Sequence, residues 1–322
     1  MIIGNEKFDI HAFNNDDVFI FSIGYEHRSC FLYNKIKSCI SPEKIIVIAF
    51  DDYEKYPFVV DTINEITAKD GTVIINSYSD YENFHRKVIE EIVKKRTNDY
   101  SNKIHIDYSS MPRSWYCKLP ILLKETLCKD DVLSFWYTEG EYPSSYEKYP
   151  SAGIDSFSLF SGTPSLRVDN KRIHILGLGY DIIRSQAILS ITDPSFLVSC
   201  YAYNPSRTGF LDSIKSVNNP IFSRSAISIG FHIDDFKFMI SKLCETANEL
   251  LPSGDVILIP DGPKPLIFAM SLVTVLMENS GLTCLHISRN SKYFEIVDVE
   301  STGNVYGFSI HFTNYDDTQL VL

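Results

Sequence analysis

The chain has 322 residues, 44% of them hydrophobic and 22% charged, which is ordinary globular composition with length enough for two cores. A formal charge of −11 excludes a protein that coats duplex DNA, because neutralising phosphates needs a basic face. The 7 cysteines are scattered with no C-x-x-C pair, which speaks against a structural zinc and for a reduced compartment.

No basic leader followed by a long apolar stretch opens the chain at MIIGNEKFDIHAF, so no signal peptide is expected. The apolar run Pro265–Met277 is too short for a membrane span and fits a buried helix. The expectation is a cytoplasmic protein without a membrane partner.

In chain order, the first half offers strands at Val18–Ile23, Lys44–Phe50, Thr72–Asn76, Lys103–Asp107 and Val132–Trp136. Short continuous runs of Val, Ile and Phe suit strands covered on both faces. Helical segments fall between them, at about Arg28–Cys39, Pro57–Lys69, Asp80–Arg96 and Pro112–Cys128. Asp80 suits a helix N-cap, Pro112 a first turn, and Pro120 should interrupt the fourth helix.

Tyr137–Arg167 is rich in Ser, Gly, Pro and Tyr and reads as an excursion with a linker. The second half then repeats the order, with strands at Arg172–Leu178, Phe196–Ala202, Ala226–Phe231, Asp255–Ile259 and Thr283–Ile287. Its helices are expected at about Asp181–Thr192, Ser206–Val217, Asp234–Leu251 and Pro263–Ser280, with Asp234 opening the third as Asp80 does. Lys292–Phe312 reads as two strands joined by the turn residues Ser301–Asn304.

The halves also repeat one another in detail. Val18–Ser29 (VFIFSIGYEHRS) is echoed about 155 residues later by Ile173–Ser185 (IHILGLGYDIIRS), at a nearly constant offset from the later pair Ile104–Arg113 and Val256–Pro265. The expected fold class is therefore α/β: two tandem Rossmann-like modules, each a mainly parallel five-stranded sheet with helices on both faces, plus a C-terminal β-hairpin. The boundaries expected are 1–150 for the first module, 151–170 for a linker, and 171–322 for the second module with the hairpin.

With right-handed crossovers and strand order 3-2-1-4-5, strands one and four become neighbours, and a crevice opens beyond their carboxyl ends. Gly24 and Gly179 would let the chain turn or a ligand approach the backbone. Arg113 and Lys264 lie just past the fourth strands, where a cation could meet a phosphate, and Arg28 and Arg184 could face the same crevices. Ser109, Ser110 and Asp261 add hydrogen-bonding groups, while Tyr25, Glu26, Tyr180 and Gly262 complete the candidate ligand-binding set. The same residues are good turn and helix-start sequence in their own right.

Catalytic signatures are missing: there is no Walker A lysine motif, no H-E-x-x-H, no G-x-S-x-G, and Ile182 stands where a dinucleotide fingerprint needs its third glycine. His105, His174 and His286 sit inside apolar strands and read as packed histidines, which leaves His27, between Glu26 and Arg28, as the best acid–base candidate. Asp51, Asp52, Glu139 and Glu141 crowd the crevice rim, but spacing alone makes no metal site, and neither metal nor cofactor is expected.

The segments Gly24-Tyr25-Glu26-His27-Arg28-Ser29, Ser109-Ser110-Met111-Pro112-Arg113, Gly179-Tyr180 and Asp261-Gly262-Pro263-Lys264-Pro265 give the chain a pattern that resembles the CARF fold and the SAVED domain, over residues 16 to 312. The resemblance implies a sensor of nucleotides, cyclic oligonucleotides included, in bacterial anti-phage defence. Such domains are commonly fused to a nuclease, protease or TIR effector, for which no residues remain here, so the resemblance implies either a separate effector partner or a protein that itself processes the ligand, as some CARF proteins do. Two other readings compete with this one. One is a two-domain transferase or hydrolase acting on a nucleotide or sugar phosphate, and the other is a structural or toxin-neutralising subunit that uses its Tyr-rich linker as an interface.

Overall fold

The computed structural model describes residues 1–96, 101–127, 130–141, 151, 153–162, 171–278, 280–289 and 297–312. The chain divides into two compact units, Met1–Pro143 with Ile296–Leu322, and Ser144–Glu295. Of the expected 151–170 linker, 151 and 153–162 are described, and Phe157–Ser161 forms a strand where a linker was expected. Residues 152 and 163–170 lie outside the described residues, as does the expected first strand of the C-terminal hairpin up to residue 296.

In the first unit the strands are β1 (Ile2–Lys7), β2 (Val18–Ile23), β3 (Ile45–Phe50), β4 (Thr72–Asn76), β5 (Lys103–Asp107) and β6 (Val132–Glu141). All six residues of β2 are buried, as its unbroken apolar run requires of a central parallel strand. β4, β3, β2, β5 and β6 lie side by side and parallel in that order, which is the expected 3-2-1-4-5.

Local chemistry sets the helices that connect these strands. Asp80 caps the helix Tyr81–Lys95 by accepting from Asn83 N at 3.2 Å. Pro120 does interrupt the fourth crossover, which becomes two short helices, Arg113–Tyr116 and Leu119–Lys124. Pro112 is the N-cap of the first of these rather than part of its first turn.

The second unit contains β7 (Phe157–Ser161), β8 (Arg172–Leu178), β9 (Phe196–Tyr203), β10 (Ile227–His232), β11 (Asp255–Ile259) and β12 (Thr283–Ile287). Its sheet runs β10-β9-β8-β11-β12-β7, so the same 3-2-1-4-5 order recurs with one antiparallel strand added at the end. Asp181 caps the helix Ile182–Thr192, and Asp235, not Asp234, caps Phe236–Leu250 by accepting from Phe238 N.

The C-terminal segment departs most from the sequence reading. Instead of a hairpin on the second unit, Glu300–His311 forms one long strand, β13, in the first sheet, between β1 and β6 and antiparallel to both. The sheets therefore have seven and six strands rather than five each. The turn-forming residues Ser301–Asn304 make an irregularity within the strand, where pairing with β6 shifts between Ser301 and Val305 and Gly303 takes φ +90°. A polar anchor explains why the chain bulges there without reversing. Glu139 on β6, itself buried, accepts from Thr302 Oγ1 at 3.1 Å, Asn304 Nδ2 at 2.9 Å and the Tyr306 hydroxyl at 3.0 Å.

Candidate functional site

The parallel order brings the tips of strands one and four together in each unit, and what fills those tips is mainly protein. In the second unit, a Cβ on Gly179 would stand 3.0 Å from Gly262 Cα, and one on Gly262 would stand 2.4 Å from the Leu178 carbonyl oxygen. Gly262 also has φ +93°, so its lack of a side chain serves both a left-handed turn and a close backbone crossing. In the first unit, the Phe50 ring occupies the space over Gly24, 2.7 Å from where a Cβ would be, and is itself stacked on Trp115.

The two arginines after the first strands are structural in the same way. Arg184 is 1% exposed; its Nε donates to Asp261 at 3.1 Å, its Nη2 to the Ile287 carbonyl at 2.7 Å, and its Nη1 to the Gly153 carbonyl. Arg28 is 2% exposed; its Nε donates to Glu26 at 2.7 Å, and its Nη1 to the Thr138 carbonyl and the Tyr137 hydroxyl, both at 3.2 Å. Arg184 joins the ends of strands one, four and five, and Arg28 joins the ends of strands one and five. This duplicated clamp accounts for why a cation recurs at both places in the sequence.

Ser109 is likewise buried. Its amide and hydroxyl donate to Asp107, and its Oγ accepts from Thr138 N at 2.7 Å, which ties β5 to β6. Tyr25, Glu26, Ser110 and Arg113 remain partly exposed at the first tip, and Gly179, Tyr180, Gly262 and Lys264 at the second. Tyr180 packs edge-on against Phe210. Arg113 and Lys264 are the first residues of their helices.

His27 is placed differently. It is exposed, its ring stacks on Phe58 with centroids 4.2 Å apart, and its Nδ1 lies 2.6 Å from Asp298 Oδ2 and 4.0 Å from Glu300 Oε1. It borders a cleft of about 430 Å³ whose other walls are Phe31, Asn34 and Lys35 of the helix Phe31–Ile36, Arg28, and Glu300 with Ser301 of β13. Ser301 pairs with Gly140 near the end of β6, so the cleft opens at the carboxyl ends of the parallel strands. Ligands of open α/β sheets bind at that end.

Sequence reasoning found His27 but neither Asp298 nor Glu300. Both precede or begin a strand that had been assigned to the other half of the chain, and no local pattern links them to residue 27. His105, His174 and His286 are packed as expected: His105 Nδ1 accepts from Trp136 Nε1 at 3.0 Å, and His286 Nε2 lies 3.0 Å from the Ser271 hydroxyl.

No protein-family model matches the chain, and no curated protein matches it. Among solved structures it is similar to the cytoplasmic domain of a prokaryotic cation chloride cotransporter, at 8% identity and a TM-score of 0.24, over 85% of this chain and 96% of that one. A universal stress protein from Pseudomonas aeruginosa UCBPP-PA14 aligns at 9% identity and a TM-score of 0.24, over 87% and 95% of the two chains. One from Archaeoglobus fulgidus DSM 4304 aligns at 10% identity and a TM-score of 0.24, over 86% and 98%. Superpositions this loose carry no argument about function, and the α/β class rests on the strand order itself. None of the helices among the described residues is long and apolar enough to cross a membrane.

Proposed function

We propose that the protein binds a phosphate-containing nucleotide, cyclic oligonucleotides included, in the His27 cleft of its first unit, and signals to a separate protein effector in the manner of an anti-phage sensor. The observation that supports this is the cleft itself. It lies at the carboxyl end of the first sheet, its volume of about 430 Å³ suits a small ligand, and Lys35 and Asn34 offer donors to a phosphate. The strand-tip crevices of the sequence reading support it less, because Arg28 and Arg184 are committed to carbonyls and carboxylates of the fold.

A thermal-shift screen against mono-, di- and cyclic oligonucleotides, followed by mass analysis of the incubated ligand, tests the proposal. Lys35→Ala should weaken binding by about 10- to 100-fold, the worth of a charge-assisted hydrogen bond. Affinity unchanged in Lys35→Ala, or no shift across the panel, counts against the cleft. The His27–Asp298 pair favours a second reading as a nucleotide hydrolase or transferase. A carboxylate that accepts from Nδ1 leaves Nε2 as a base, and the ligand would then be consumed, with turnover lost in His27→Ala.

A further inference from the structure

The mouth of the cleft joins two segments far apart in sequence. His27 N donates to Asp298 Oδ1 at 3.0 Å and Arg28 N donates to the Val299 carbonyl at 3.0 Å, so residues 27–28 and 298–299 are held together through the backbone. One ligating atom from each of His27, Asp298 and Glu300 lies within 4.8 Å of the other two, and this is the one such His and carboxylate group among the described residues.

We infer that His27, Asp298 and Glu300 form a binding site for one divalent cation of the manganese or zinc type, whose open positions face the cleft and take a phosphate oxygen of the ligand. One imidazole with two carboxylates is a mixed nitrogen and oxygen set, which suits these ions better than calcium or magnesium. Three protein ligands leave room for a water or a ligand oxygen, the arrangement that distinguishes reactive from purely structural metal sites.

The shell around these groups is already organised. The His27 amide fixes one oxygen of Asp298 and leaves the other facing the imidazole, while Phe58 fixes the plane of the ring. Uptake of the ion would replace the 2.6 Å contact between His27 Nδ1 and Asp298 Oδ2 with bonds from both atoms to the metal.

Charge supplies the second argument. Asp298 and Glu300 would repel a phosphate entering beside them, whereas a divalent ion cancels both charges and turns that wall of the cleft from repulsive to attractive. Lys35, which lines the same cleft, would add a further positive charge for that phosphate. The metal site stands on its own geometry and rests on the nucleotide reading only for the occupant of the open positions.

Equilibrium dialysis of the full chain against Mn²⁺ and against Zn²⁺, with metal content measured by mass spectrometry, tests the inference. One ion per chain is expected, with affinity at least about tenfold weaker in each of His27→Ala, Asp298→Asn and Glu300→Gln. Circular dichroism on each variant confirms that it is folded. Absence of a stoichiometric ion, or an ion retained by all three folded variants, would overturn the site. Nucleotide binding that persists in EDTA, from a protein that takes up no ion, would sink the metal while leaving the cleft as a nucleotide site. A stoichiometric ion lost in the variants, with no nucleotide taken up, supports the metal and removes the nucleotide.

Discussion

A cation beside a strand tip has two physical uses, and only its partners decide between them. Arg28 and Arg184 stand where a phosphate-binding arginine would stand, but their partners are carbonyls and carboxylates contributed from as far away as Thr138 and Ile287. No sequence spacing could reveal those carbonyls, which is why the fold and the repeat were legible while the role of the repeated arginine was not. Arg184→Ala should cost about 3–5 kcal/mol in urea unfolding, because Asp261 would keep a buried charge without its guanidinium. Arg184→Lys should recover little of this, since one ammonium cannot reach the carboxylate and the carbonyls together. Full stability in Arg184→Ala would return this residue to the list of free cations. Burial also acts on His174, lowering its pKa from 6.5 to about 4. The unfolded chain takes up a proton below pH 6.5 that the folded chain refuses until about 4, so this contribution is whole above 6.5 and falls away as the pH drops towards 4. The loss amounts to about 3 kcal/mol across that window, and the burial-lowered pKa values of His105 and His85 add in the same direction. Urea midpoints measured from pH 7.5 to 5 should therefore decline, and less steeply in His174→Asn. A flat profile in the parent protein would remove the argument.

At the scale of elements, the parallel strands were readable because each is a short apolar run ended by polar residues, and their order followed from crossover handedness. Several helix starts were readable to within a residue, as Asp80 and the displacement from Asp234 to Asp235 show, whereas the helices expected from Arg28 and Ser206 begin at Phe31 and Phe210. The last strand was misread because Ser301–Asn304 has the composition of a turn, and the sequence does not disclose that Glu139 waits on the neighbouring strand to accept three donors. Glu139→Ala should therefore loosen the bulge and speed amide exchange in residues 300–306, with the rest of β13 little changed; uniform protection would show that the turn residues hold the bulge unaided. The junction between β8 and β11 makes a sharper prediction. Gly262→Ala would place a methyl 2.4 Å from a backbone oxygen in a left-handed conformation, at a cost of about 1–3 kcal/mol. A thermal midpoint within a degree of the parent would mean that the strand tips can separate cheaply.

For the whole molecule, the duplication expected from the sequence is present as two sheets with one shared strand order, but the boundaries follow a different plan. The first unit is discontinuous, with residues 144–295 inserted between its sixth strand and its last. A two-module reading assumes that chain order is domain order, and nothing in composition marks the return of the chain to its first sheet. It follows that Ser144–Glu295 alone should unfold cooperatively in urea, whereas Met1–Pro143 alone, lacking the strand that joins β1 to β6, should not. Cooperative unfolding of Met1–Pro143 would show that β13 is an ornament of that sheet.

That returning strand also imposes a timetable on synthesis. A ribosome that has finished Glu141 must add the whole second unit before Glu300 emerges, an interval of about 8–30 s at roughly 5–20 residues per second. Throughout it, β6 with Phe135, Trp136 and Tyr137 has no β13 to pair with, and an unpaired apolar strand is the kind of surface that recruits chaperones or pairs with the wrong chain. The cleft that holds His27 is finished last of all, because Asp298 and Glu300 leave the exit tunnel only after the rest of both units has been synthesised. A product cut short before residue 298 would thus contain every strand of the second unit and no complete site in the first.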